Sequence, residues 1–309
     1  MQVSATRPAT APARRARLRT AFPPAMPPVR LPQRVALGDF SRAEGPWEID
    51  WMRARADAEA ALAAIDFSRP EIMMWIPGTD GKGVHHDFQL AADYLYGARP
   101  TGLSLTALPY EASWSLRRSL PTGLATMKLL LHGIKERFAQ IEAAGRPRPK
   151  LLLAGLSQGA WIIGEAMADP ELTGLVTRAI TVGHPWMARH QYGDGHEPRV
   201  RVIGHVGDQI TMEVAGSVGT GLDAMIAVRT GQIGKGLGSV VRAILANPLH
   251  GVLLLQNQLR NLGWLRPYLS DPHEYSMEMP RMVRYLRDGV LDASNEELDA
   301  ARKARRATT

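Results

Sequence analysis

The sequence contains no cysteine. That excludes disulfide bridges, thiolate chemistry and cysteine-based metal sites, and it suits a reducing compartment. No apolar run approaches the ~18–20 residues needed to cross a bilayer, so no membrane-spanning helix is expected. Acidic residues are missing before Asp39, yet Arg7, Arg14, Arg15, Arg17, Arg19, Arg30 and Arg34 all fall in that stretch. The formal net charge of +7 therefore resides in the N-terminal tail, and the rest of the chain is about neutral. Rich in proline and alanine, this tail (residues 1–36) reads as disordered. It lacks the apolar region of a secretory signal, and its prolines spoil the amphipathic helix of a transit peptide. A solvated extension is expected, with contact to an anionic surface as the alternative. No nucleic-acid partner is expected, and the protein is read as cytoplasmic at synthesis.

At 309 residues, 45% hydrophobic and 22% charged, the chain can bury one large core or two modest ones. Its most informative stretch is 150–167, KLLLAGLSQGAWIIGEAM. A short apolar run, Leu151 to Ala154, leads into Gly155-Leu156-Ser157-Gln158-Gly159 and then into a helical pattern. The apolar run suits a buried parallel strand. A G-x-S-x-G between strand and helix is the nucleophile elbow of α/β-hydrolases. So tight a turn forces strained angles on the serine and leaves almost no room for side chains two residues to either side. It would hold Ser157 Oγ above the sheet at a helix N-terminus, whose dipole favours a developing oxyanion.

The surrounding pattern alternates strands and helices. Helices are expected over 49–65, 87–96, 121–144 and 277–287, and strands over 71–76, 103–108, 178–182 and 200–204. Such alternation points to a parallel sheet with helices on both faces, with ligands bound at the carboxyl ends of the strands. A serine nucleophile needs a base and a group to orient it, in the chain order serine, acid, histidine. Asp208 follows the last predicted strand. His273 lies in Ser270-Asp271-Pro272-His273-Glu274-Tyr275, just before the closing helix. Asp194 and Asp223 are the rival acids. Among the other histidines, His85 and His86 lie beside the loop after the first strand but precede the serine. No metal or cofactor is implied.

Taken together, GLSQG at 155–159, GDQI at 207–210 and PHEY at 272–275 resemble the cutinase-like branch of the α/β-hydrolases. That branch carries GYSQG, a GD-containing loop and a histidine followed by an aromatic residue. The resemblance implies a mostly parallel central sheet flanked by helices and a serine esterase with Ser157, Asp208 and His273 as its triad. The hydroxyl residue of an R-G-T/S loop in that family helps bind the oxyanion. Pro77-Gly78-Thr79 stands at this place, with proline for arginine. The backbone N–H groups of Gln158 and Thr79, with the Thr79 hydroxyl, are thereby implied as oxyanion donors; a plain glycine-rich turn is the alternative.

The chain departs from small cutinases in lacking disulfides and in separating Asp208 from His273 by about sixty residues. The intervening segment, 211–269, has a helical apolar pattern (Leu222, Ile226, Ile233, Leu237, Val241, Leu245) interrupted at Pro248. In position and length it resembles the linker of phage lysin B, the mycolylarabinogalactan esterases. The expected organisation is a tail at 1–36, a catalytic domain at 37–210 and 270–309, and a helical insert at 211–269 acting as cap or linker. An ester with an apolar acyl chain is the expected substrate, a monomer the expected state, and action on the cell envelope after release the expected route. A catalytically inactive hydrolase fold that binds lipid or wall polymer, or an intracellular thioesterase, are the competing readings.

Overall fold

A computed structural model of the protein describes residues 26–37, 48–97, 101–113, 115–183, 199–203 and 275–290. Five parallel strands form one sheet: β1 (Glu71–Ile76), β2 (Leu103–Ala107), β3 (Lys150–Leu156), β4 (Val176–Val182) and β5 (Val200–Ile203), in the spatial order β2-β1-β3-β4-β5. Residue 71 of β1 pairs with 150 of β3, so the two central strands end side by side at Ile76 and Gly155. The central strands β1 and β3 are apolar on both faces along their interiors because both faces are covered there. Ile72, Met74, Leu151 and Leu153 point to one core, and Met73, Trp75, Leu152 and Ala154 to the other.

The first core is roofed by α1 (Trp51–Ala64), α3 (Leu116–Ala143) and α4 (Gln158–Met167), the second by α2 (His86–Tyr96) and α6 (Met279–Asp288). A one-turn helix, α5 (Pro170–Thr173), links α4 to β4. This architecture is that of an α/β-hydrolase: a parallel sheet between helical layers, entered by α4 directly from the central strand. No helix among the described residues is long and apolar enough to cross a membrane.

Two expectations are corrected. Helix α3 begins at Leu116 rather than at Pro121, which lies inside it. A proline there removes the bond that would reach back to the carbonyl of Arg117. That carbonyl is taken instead by the Glu48 N–H at 3.3 Å. The helix therefore runs through the proline without a buried orphan at that point.

The second correction concerns the tail. Its last part, residues 26–36, is packed on the protein rather than solvated. Leu31 is buried in the first core, in a notch left by Gly133, where an added Cβ would lie 2.7 Å from Leu31 Cδ2. Arg137 donates to the Pro27 carbonyl at 3.2 Å. Lys128, almost fully buried on α3, donates to the Ala36 carbonyl at 2.8 Å and pairs with Asp169 at 3.3 Å. A buried ammonium needs such partners to offset its lost hydration. The composition of 1–36 as a whole hid this, because the anchoring apolar residues Met26, Val29, Leu31 and Val35 are spaced among prolines and arginines without helical or strand period.

Leu31→Ala is expected to lower the unfolding free energy by about 2–3 kcal/mol, as for a buried leucine removed from a packed notch. Urea titration followed by circular dichroism measures it. A loss below about 0.5 kcal/mol, typical of a surface substitution, would show that the segment is not docked.

Candidate active site

Ser157 stands between β3 and α4 with φ 53° and ψ −112°, a left-handed conformation that a residue with a Cβ adopts only when its surroundings impose it. The surroundings are visible in its neighbours. A Cβ on Gly159 would sit 2.1 Å from the Ile76 carbonyl oxygen and 2.7 Å from that of Pro77. One on Gly155 would meet Gly159 backbone atoms at 2.8 Å and Ile163 Cδ1 at 2.7 Å. Both glycines of the motif are therefore required by close backbone approach. The turn is pinned by the Ser157 N–H to the Val182 carbonyl at 3.0 Å, and the Ser157 carbonyl opens the helix by accepting from Trp161 N at 3.1 Å. Ser157 remains 9% exposed at the carboxyl edge of the sheet.

The loop after β1 lies against this turn. A Cβ built on Gly78 would be 3.3 Å from Ser157 Cβ and 3.0 Å from the Leu156 carbonyl oxygen. Loop shape is set from several sides. Gly81 N–H closes a turn onto the Gly78 carbonyl at 2.9 Å, and Asp80, at φ 61°, donates its N–H to the Ala112 carbonyl. The Tyr110 hydroxyl donates to the Pro77 carbonyl at 2.7 Å. Burial pushes the Tyr110 phenol far above its ordinary pKa, so it stays a donor at all working pH.

Gln158 is 3% exposed, and its side-chain amide is fully used. Nε2 donates to Thr79 Oγ1 at 2.7 Å and to the Ser113 carbonyl at 2.8 Å, while Oε1 accepts from the Ser119 hydroxyl at 2.8 Å. Three of the five predicted site residues, Ser157, Gln158 and Thr79, are thus brought together. Asp208 and His273 lie outside the described residues, as do the rival acids Asp194 and Asp223 and the whole of 211–269. Their flanks are described. Strand β5 ends at Ile203, whose carbonyl accepts from Gly183 N beside the elbow, and Tyr275 is buried in the second core. His85 has a local role: its Nδ1 accepts from Asp87 N at 3.3 Å as the cap of α2, and its ring lies 5.8 Å from that of Trp75.

Tyr110, Ser113 and Ser119 were not singled out from the sequence. They sit 38 to 47 positions before Ser157, in a stretch with no motif, and only the fold brings them to Gln158 and Pro77.

The fold and the strained serine turn define the class as an α/β-hydrolase fold. No family model and no curated protein matches the sequence. Among solved structures the chain is similar to a cutinase-like protein from Cryptococcus sp. at 19% identity, over 40% of this chain and 57% of that one, with a TM-score of 0.29. It is similar to the catalytic core domain of acetyl xylan esterase from Trichoderma reesei at 17% identity, over 38% and 64% of the two chains, with a TM-score of 0.29. Trichoderma reesei cutinase in complex with a phosphonate inhibitor matches at 20% identity over 53% and 78%, with a TM-score of 0.34. The chain spans less than two thirds of the length of the first two of these structures.

Gly159→Ala is expected to be destabilising by more than about 4 kcal/mol or to prevent folding, since its methyl would overlap the Ile76 carbonyl and no flexible side chain can give way. Soluble yield and thermal melting report it. A variant that melts within a few degrees of the wild type would mean the turn is built differently.

Proposed function

We propose that the protein is a serine esterase acting on carboxylic esters with an apolar acyl chain. The single observation carrying this reading is Ser157 held at a positive φ on the carboxyl edge of the sheet, with the Thr79 loop packed against it. Backbone strain at a nucleophilic side chain persists only where the surroundings over-determine it, and such positions cluster at functional sites. The elbow puts Ser157 at the start of α4, where the Gln158 N–H is one of the unpaired donors of the first turn.

In this reading His273 takes the proton of Ser157 as its Oγ attacks the ester carbonyl, and Asp208 holds the imidazole tautomer and stabilises the cation. The N–H groups of Gln158 and Thr79, with the Thr79 hydroxyl, bind the oxyanion of the tetrahedral intermediate. His273 then protonates the leaving alcohol. Water, deprotonated by the same imidazole, attacks the acyl-enzyme, releasing the acid and restoring Ser157. The interval between Asp208 and His273 supports a mycolylarabinogalactan type of substrate over that of a small cutinase.

Ser157→Ala is expected to abolish hydrolysis of p-nitrophenyl butyrate and labelling by a fluorophosphonate probe while the thermal melt is retained. Undiminished hydrolysis in that variant overturns the proposal. A wild-type protein that binds lipid but neither labels nor hydrolyses points instead to an inactive fold used for binding. Across p-nitrophenyl esters from acetate to palmitate, a long-chain preference together with fatty acid release from mycolyl-arabinogalactan supports the wall-directed substrate. A short-chain preference alone supports a general esterase.

A further inference from the structure

An amide side chain can be built in either of two orientations, but the neighbours of Gln158 permit one. The atom 2.8 Å from the Ser113 carbonyl oxygen must be the nitrogen, because a carbonyl cannot donate. Oε1 is therefore the atom facing the Ser119 hydroxyl. With one Nε2 hydrogen on Ser113, the second points at Thr79 Oγ1, 2.7 Å away. Thr79 Oγ1 must accept this bond, so its own hydrogen is directed elsewhere, and among the described residues no acceptor takes it. The Thr79 loop borders Ser157, as the 3.3 Å approach of a Cβ at 78 to Ser157 Cβ shows.

We propose that Gln158 is a positioning residue that acts through Thr79: its buried amide, clamped by Ser119 and Ser113, fixes the Thr79 hydroxyl as a donor aimed at the substrate oxyanion. This rests on the esterase reading and deepens it. The side chain of Gln158 thereby has a task separate from that of its backbone N–H. Without the amide, the Thr79 oxygen would lose the donor that fixes it, and the site would lose a prepared donor at the moment charge develops. Ser119 acts one step further back. Its single proton lies between Gln158 Oε1 and the Glu111 carbonyl, 2.6 Å away, and its oxygen accepts from Ser113 N at 3.2 Å. This fixes the serine and, through it, the amide.

The test is a double-mutant cycle on the full chain with p-nitrophenyl butyrate. Gln158→Glu replaces the donor facing Thr79 by an acceptor. It is expected to lower kcat by about 10²-fold with KM nearly unchanged, the signature of a lost oxyanion donor. Thr79→Val should cost a similar factor, and Thr79→Ser should retain activity. In the Thr79→Val background, Gln158→Glu should cost less than about twofold further, because the group it acts through is gone. An undiminished effect of Gln158→Glu in that background, or a rise in KM with kcat intact, overturns the proposal. If the melt shows Gln158→Glu unfolded, Ser119→Ala carries the same cycle: a loss of about three- to tenfold, the worth of one hydrogen bond, that vanishes on Thr79→Val. A loss that persists there overturns it equally. Wild-type protein that neither hydrolyses the ester nor takes the fluorophosphonate label removes the esterase reading itself, whereas an active wild type with an additive cycle removes only the role of Gln158.

Discussion

The structure depends on one steric contact: the backbone of Gly159 against the carbonyl of Ile76, where not even a methyl group fits. That contact joins the start of α4 to the end of β1 and leaves the chain between β3 and α4 a single tight path. Ser157 is the residue caught on that path, and its positive φ is the consequence. The strain, on the order of 1–3 kcal/mol for a residue held in a sparsely populated region, is sustained by elements that are themselves over-determined. Both central strands are buried on two faces and paired residue by residue, and α4 is buried along its whole length. A less firmly held helix would relax the serine and lower it into the turn.

The same contact explains why the loop after β1 belongs to the site. Since β1 and β3 end level, whatever follows Ile76 must pass beside Ser157. Gly78 is the residue that can do so, its missing side chain leaving room for Ser157 Cβ and the Leu156 carbonyl. Support then comes from the next strand along. Leu108 N bonds the Trp75 carbonyl, and the segment after it delivers the Tyr110 hydroxyl to Pro77 and the Ala112 carbonyl to Asp80. The surroundings of Ser157 are thus fixed by strand register on one side and by a buried phenol on the other. Neither depends on a long exposed side chain or on a surface ion pair.

The parts of this arrangement that were legible in the sequence are those where function and local sterics coincide. After Glu71, the strand residues Ile72–Ile76 are apolar without interruption because they lie in the middle of a covered parallel sheet, so the strand could be read residue for residue. The glycines at 155 and 159 could be read because close approach allows no other residue. What could not be read depends on partners distant in the chain. The start of α3 was hidden because Pro121 looks like a beginning, and only the Glu48 N–H on the Arg117 carbonyl lets the helix pass through it. The docking of residues 26–36 was hidden because Leu31 needs the Gly133 notch, about a hundred positions away. The task of the Gln158 side chain was hidden for the same reason, its partners being 39, 45 and 79 positions earlier.

These hidden contacts form one continuous support. Residues 26–36 lie along α3, held by Arg137 and by the buried Lys128. The chain returns at 48–50 to the first turns of that helix, where Glu48 takes the carbonyl orphaned by Pro121 and the Asp50 N–H bonds Thr122 Oγ1 at 3.2 Å. Asp50 also caps α1 by accepting from Arg53 N at 3.0 Å, so one residue ties the starts of two helices together. Between those anchor points on α3 sits Ser119, whose hydroxyl meets Gln158. The first turn of α3 keeps its opening bonds, Arg118 N and Ser119 N to the Ser115 carbonyl at 3.0 and 2.9 Å, and loses the one that Pro121 cannot donate. Contacts from residues 48–50 take the place of that lost bond, on either side of the Ser119 that meets Gln158. The stretch 26–36, which composition alone assigns to solvent, thus packs along the helix that carries Ser119 to Gln158 at the carboxyl edge of the sheet.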